Sequence, residues 1–223
     1  MAKYRLRKKA IELRLKGMSY NQIKPLLGVS KSSLSSWLQG YPLSEERLRS
    51  LRDFSEIRIE KYRNTMQAKR EKRFAETYKQ EKMKYLPLSE KELFVAGLFL
   101  YWGEGVKGLK RSVGLYNTNP QMIKFGLFWY IKILKIPAEK IRIKLHLYSD
   151  MNIKKEMNFW SKELKFPLSR FSNPYIKNTK KADINNKGGF GHGTCGLLFN
   201  DVFLKERILA AIQAIADYYE NRI

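Results

Sequence analysis

The stretch SEKELFVAGLFLYWGEGVKGLK, residues 89–110, constrains the fold more than any other part of the chain. Ser89 followed three residues later by Glu92 is a capping box, which satisfies two free backbone N–H groups and opens a helix. Leu93–Trp102 is almost wholly apolar, so this helix is expected to be buried on most of its circumference. It stops at Gly103-Glu104-Gly105, which sets one carboxylate at the C-terminal end of the helix. The partial negative charge of the last free carbonyls makes that an unfavourable place for an anion unless a cation lies nearby. Glu104 is therefore the first candidate for a functional residue.

Charge bounds the partners. Lys and Arg number 44 against 21 Asp and Glu, a formal charge of +23. A field of that sign attracts polyanions, nucleic acid first and anionic membrane surface second. The single cysteine, Cys195, excludes an intrachain disulfide and a cysteine-based zinc cluster, and it suits a reducing compartment. The longest apolar run is about 10 residues, against about 20 for a membrane span. The opening MAKYRLRKKAIELRL lacks the apolar segment of a signal peptide. The expectation is a cytoplasmic, nucleoid-associated protein whose partner is double-stranded DNA and not a membrane.

Residues 1–43 read as three helices. Residues 3–16 form a basic amphipathic helix with Leu6, Ala10, Ile11, Leu13 and Leu15 as core candidates, ended by Gly17. Ser19 and Gln22 make a second capping box, and Pro25 keeps the helix they open short. After the Gly28-Val29-Ser30 turn, Lys31–Leu38 forms a third helix with Leu34, Trp37 and Leu38 inward. Its outer side carries Lys31, Ser32, Ser33, Ser35 and Ser36, with Gln39 following, polar groups able to bond bases or phosphates. The stretch SYNQIKPLLGVSKSSLSSWL resembles the helix-turn-helix of resolvase- and transposase-type DNA-binding domains. The structural alternative is a three-helix protein-interaction module.

Residues 44–88 hold no glycine, and no proline before Pro87. They read as a basic helical linker, one long helix or two collinear ones. An apolar stripe runs through Leu48, Leu51, Phe54, Ile57, Tyr62, Met66, Phe74 and Tyr78, without a clean heptad. Lys69, Arg70, Lys72 and Arg73 form a basic cluster suited to phosphate, or else simply a solvated face. Leu86-Pro87-Leu88 marks the boundary to a third region, 89–223.

That region reads as α+β, an antiparallel sheet with helices on one face. The expected strands are Arg111–Thr118, Ile141–Tyr148, Phe171–Lys177 and Thr194–Phe199. The expected helices after the first are Gln121–Lys135, Asn152–Leu164 and Asp201–Tyr219. In IRIKLHLY the alternation sets Ile141, Ile143, Leu145 and Leu147 against Arg142, Lys144, His146 and Tyr148, a half-buried strand with a basic outer face. That face is assigned to DNA.

The Ala96-Gly97-Leu98-Phe99 helix ending in Gly-acid-Gly, followed by strand-helix-strand elements, resembles the LAGLIDADG homing endonuclease domain over about residues 89–221. Here Leu100-Tyr101-Trp102 separate the two halves of the motif, and Phe99 stands where a small interhelical residue is the rule. The resemblance implies a homodimer formed through the 89–104 helix, with Glu104 of each copy a catalytic metal ligand for Mg²⁺ or Mn²⁺. It further implies Lys107 or Lys110, and Lys177, as catalytic cations on phosphate or water, and phosphodiester hydrolysis at a pseudo-palindromic target. The alternative is a catalytically silent, sequence-specific DNA-binding regulator with no cofactor. A triad of Glu104, Asp150 and Asp183 does not resemble the transposase pattern. His192 near Cys195 lacks a visible orienting partner, so both histidines are assigned core or DNA-facing roles.

Overall fold

A computed structural model describes residues 2–51, 54–108, 111–181, 191–220 and 222. Lys110 and Asp183, and the side chain of Phe54, lie outside the described residues. The chain divides into two compact units, Met1–Leu86 and Pro87–Ile223. The first is helical and the second mixed α+β, with a four-stranded sheet.

In the first unit α1 (Ala2–Leu15), α2 (Tyr20–Leu27) and α3 (Lys31–Trp37) surround Ala10, Tyr20, Ile23, Leu34 and Leu38. Both sequence caps operate. Ser19 and Gln22 close a reciprocal capping box on α2, and Ser30 accepts from the Ser33 N–H at the start of α3. Gly28 ends α2 at φ 61°, the left-handed region that costs glycine least. α4 (Glu45–Arg49) then sends Arg47 back to the α1–α2 turn, where its Nε donates to the Gly17 carbonyl at 2.8 Å.

The helix α5 (Phe54–Tyr85) belongs to this unit through a buried ion pair. Arg14 Nη2 donates to Glu60 Oε2 at 2.8 Å, and both side chains are almost fully buried. Arg14 also donates through Nε to the Tyr41 carbonyl at 2.8 Å and through Nη1 to Met18 at 3.2 Å. The Arg14 and Arg63 guanidinium groups both lie over the Tyr20 ring. This pairing corrects the expected core of α1: Arg14 turns inward and Leu15 is 71% exposed. It also shows that residues 44–88 are no uniform linker. The N-terminal part of α5 is anchored, whereas every residue from Ala68 to Pro87 is exposed, so Phe74 and Tyr78 of the expected stripe bury nothing.

The second unit opens with α6 (Glu90–Glu104), where Ser89 and Glu92 form their reciprocal capping box. It continues with β1 (Ser112–Asn117), α7 (Pro120–Phe128), β2 (Arg142–Tyr148), α8 (Ile153–Leu164), β3 (Tyr175–Lys177), β4 (Thr194–Asn200) and α9 (Val202–Glu220). A π-helical turn at Trp129–Ile133 extends α7. The strand order is β1-β4-β2-β3. β4 runs antiparallel to β1 and β2, but β3 runs parallel to β2, which corrects the all-antiparallel expectation. The crossover through α8 is the reason: a helix between two strands returns the chain in its starting direction. β3 is also shorter than expected, with Phe171 joining the sheet only through a single bridge to Ile143.

One face of the sheet is buried at Val113, Leu115, Ile143, Leu145, Leu147, Cys195 and Leu197. These residues share a single core with Leu98, Tyr101, Ile123, Trp160, Leu164, Ile208 and Ile212 of the four helices. α6 enters that core by one face only. A Cβ on Gly97 would lie 2.0 Å from the Trp129 ring, so glycine lets the indole lie against the helix backbone. The opposite side leaves Phe99 51% and Trp102 40% exposed. The expectation of burial around most of the helix therefore fails within one chain, because the sheet covers only one side.

Two substitutions test this packing. Gly97→Ala is expected to lower stability by about 1–3 kcal/mol through overpacking. Glu60→Ala, which strands a buried guanidinium, is expected to cost about 3–5 kcal/mol. Chemical denaturation followed by circular dichroism reads both.

Candidate nucleic-acid interface

Three surfaces collect the residues singled out in the sequence. The first is a cleft of about 660 Å³ inside the helical unit. Ser32, Ser35, Ser36 and Gln39 line one wall, and α5 supplies the other with Tyr62, Arg63 and Arg70. Lys31, Ser32, Ser36 and Gln39 are exposed, while Ser33 and Ser35 are half-buried. Ser33 is engaged with the cap, its hydroxyl accepting from Ser30 Oγ at 3.0 Å. Arg70 is thereby brought to the polar face of α3. Lys69, Lys72 and Arg73 are exposed on α5 outside the cleft.

The second surface is the uncovered face of the sheet. Alternation along β2 sets Arg142, Lys144 and His146 outward, as the sequence pattern requires, whereas Tyr148, expected beside them in the open, is buried. Strand pairing adds residues that the sequence reading missed. Tyr116 of β1 lies opposite Gly196 of β4, which lies opposite Lys144 of β2. His146 lies opposite Tyr175 of β3 and has the Tyr116 ring 5.0 Å away on its other side. A shallow basin of about 760 Å³ opens between Tyr116, Lys140, Arg142 and Lys144. Burial, then the neighbouring Lys144 and Lys177 charges, hold the His146 pKa below its ordinary value.

Lys177 joins this surface and not the Glu104 region. Its ammonium sits 4.7 Å from the Tyr148 ring centre, at the β3 edge. Glu104 sits at the other edge, because Gly105 bridges Leu115 of β1. Four strand spacings separate the two edges, about 19 Å, and the register adds about 16 Å along the strands. Within one chain Lys177 is therefore no partner of Glu104.

The third surface is the exposed side of α6. Val95, Phe99 and Trp102 recur there at helical spacing, with the Phe99 and Trp102 rings 5.8 Å apart. Glu104 is exposed at the end of this helix and makes no ion pair among the described residues. The loop behind it is tied down. The Gly105 N–H donates to the Tyr101 carbonyl, and Val106 N–H donates to Gly114 O, each at 2.8 Å. Lys107 Nζ donates to the Trp102 carbonyl. Lys205 of α9, 4% exposed, places its ammonium 3.3 Å from the Val106 carbonyl and 3.1 Å from that of Lys107. Burial lowers its pKa. The cation anticipated near the helix end is thus Lys107 on a helix carbonyl, with Lys205 behind the loop. Lys205 was readable: it falls on the same helical stripe as Ile208 and Ile212, where a lysine is out of place.

No group of three His, Cys, Asp or Glu side chains that could hold a metal occurs among the described residues. Burial pushes the Cys195 thiol up, which removes it as a nucleophile. His192 has the orienting partner that the sequence did not reveal: its Nδ1 lies 2.6 Å from Glu156 Oε2, and its ring stacks on Phe159. No helix among the described residues is long and apolar enough to cross a membrane. Comparison with protein-family models, with curated proteins and with solved structures finds no match to this chain.

The depressed His146 pKa has a signed consequence. The folded state favours neutral His146, so its contribution to stability is full above the ordinary pKa of about 6.5 and is lost as pH falls. A bound polyanion favours the charged ring, so any affinity of this face for nucleic acid is expected to rise as pH falls towards the lowered His146 pKa. His146→Gln is expected to flatten that rise. NMR titration of the imidazole, with DNA-binding isotherms at several pH values, measures both.

Proposed function

We propose that the protein is a homodimeric, metal-dependent, site-specific DNA endonuclease of the LAGLIDADG type, with residues 1–43 acting as a helix-turn-helix that adds target contacts. The observation that carries this reading is the exposed aromatic stripe on the far side of α6, on a helix whose last turn also exposes a carboxylate, Glu104, that makes no ion pair among the described residues. An aromatic stripe of this kind is usually an interaction surface. A second copy is the occupant that also accounts for Glu104. Two α6 helices related by a twofold axis would cover Phe99 and Trp102 mutually and bring both Glu104 carboxylates to one seam.

One carboxylate per chain does not make a metal site, but two fit Mg²⁺. That ion is held by one or two carboxylates, with substrate phosphate and water completing its shell. When bound, it supplies an activated water and charge neutralisation at the leaving oxygen. The chain's own contribution is orientation. Lys107 satisfies a terminal carbonyl of α6, and Lys205 holds the carbonyls that follow, so the loop after Glu104 is braced. Arg142, Lys144 and His146 then contribute phosphate contacts from the open sheet face, and Lys31, Ser32, Ser36 and Gln39 contribute contacts from α3.

A second reading, a catalytically silent DNA-binding regulator, is favoured by one observation. Among the described residues, neither lysine assigned to the reaction is available beside Glu104: Lys107 is engaged by the Trp102 carbonyl, and Lys177 lies at the far edge of the sheet.

Cleavage of a plasmid library in Mg²⁺ or Mn²⁺ separates the two readings. The parent protein is expected to cut at a site and Glu104→Gln to bind that site without cutting. Specific binding with no Glu104-dependent cut would sink the nuclease reading. The double variant Phe99→Glu, Trp102→Glu is expected to be monomeric by light scattering and inactive in cleavage.

A further inference from the structure

The open face of the sheet carries more than positive charge. Tyr116 reaches across Gly196: a Cβ at that glycine would meet the tyrosine ring at 2.2 Å. The ring therefore lies down on the neighbouring strand, over the only residue type that leaves it room. His146 follows at 5.0 Å and Tyr175 beyond it at 5.3 Å. Tyr116 and His146 are half-buried, and Tyr175 at the sheet edge is 55% exposed. The result is a row of three rings running across the strands. Lys144 and Arg142 lie on one side of this row and Lys177 on the other.

Duplex binding needs the charges but has little use for the rings, since paired bases are already stacked on each other and present only their edges. Ring faces and flanking ammonium groups together match a different strand state. Unpaired bases have free π-faces, and their backbone still carries one phosphate per nucleotide. We infer that the outer face of the sheet binds single-stranded nucleic acid, its bases stacking on Tyr116 and Tyr175 and its phosphates held by Lys144, Arg142 and Lys177. Gly196 is then a specificity element, because any side chain there would lift Tyr116 off the sheet. The inference shares with the endonuclease reading only the preference of this face for a polyanion. It does not depend on Glu104.

Fluorescence anisotropy with the full chain tests it, using labelled oligo(dT), oligo(U), oligo(dU) and a mixed-sequence duplex across a salt series. Tyr175→Ala is expected to weaken oligo(dT) or oligo(U) binding about tenfold, the usual cost of a lost stacking platform. Duplex binding should change less than about twofold, and the salt dependence of single-strand binding should keep its slope. Lys144→Ala should instead reduce that slope by about 0.7, the loss of one phosphate contact. Tyr175→Phe keeps the ring and should bind as the parent does. Tyr116→Ala should repeat the Tyr175→Ala result. Tyr175 is exposed and outside the core, so its variants report on binding even where Tyr116→Ala alters folding. Tighter binding of oligo(U) than of oligo(dU), which lacks only the 2′-hydroxyl, would assign the face to RNA, and the reverse to DNA. Parent-like single-strand affinity in Tyr175→Ala, or equal loss for duplex and single strand, would overturn the inference. Neither outcome touches the cleavage test of Glu104.

Discussion

The contact of Gly97 with the Trp129 indole decides which face of α6 packs into the second unit. Because residue 97 has no Cβ, the indole meets the helix backbone directly, and α6 settles on the sheet with Leu98 and Tyr101 beneath it. Fixing that face inward turns Phe99, two residues beyond Gly97, to the other side of the helix, and Trp102 follows it at i+3. The exposed aromatic stripe is thus a consequence of one glycine. Glu104 is in solvent as well, as the last residue of the helix.

The helical unit is organised by a comparable constraint of a different kind. A buried arginine is tolerated only where its donors are met, and Arg14 is met by Glu60, Tyr41 and Met18. That requirement pins the first turns of α5 against the three-helix bundle and makes α5 one wall of the cleft into which the hydroxyls of α3 look. The polar face of α3 is consequently not an isolated surface. Any polyanion reaching Ser32, Ser36 and Gln39 also meets Arg70.

On the sheet, charge and aromatic character come from different levels of organisation. Arg142, Lys144 and His146 face outward because residues two apart share a face, which a period-two pattern makes plain. Their aromatic neighbours come from β1 and β3, distant in sequence and brought beside β2 only by strand pairing. The same pairing carries Lys177 away from Glu104 and gives His192 its partner in Glu156.

By itself the sequence determined whatever depends on local spacing. The capping boxes at Ser19 and Ser89, the left-handed stop at Gly28, the alternation of β2 and the net charge of +23 follow from neighbours along the chain. Tertiary structure alone decided which side of α6 is covered, that β3 runs parallel, that Arg14 displaces Leu15 from the core, and that Tyr116 lies over Gly196. The physical reason is common to all four. An apolar run records how much surface is to be buried but not against what, and a charged residue in an apolar stripe records a need for a partner without naming it. Only the packed chain supplies the partner.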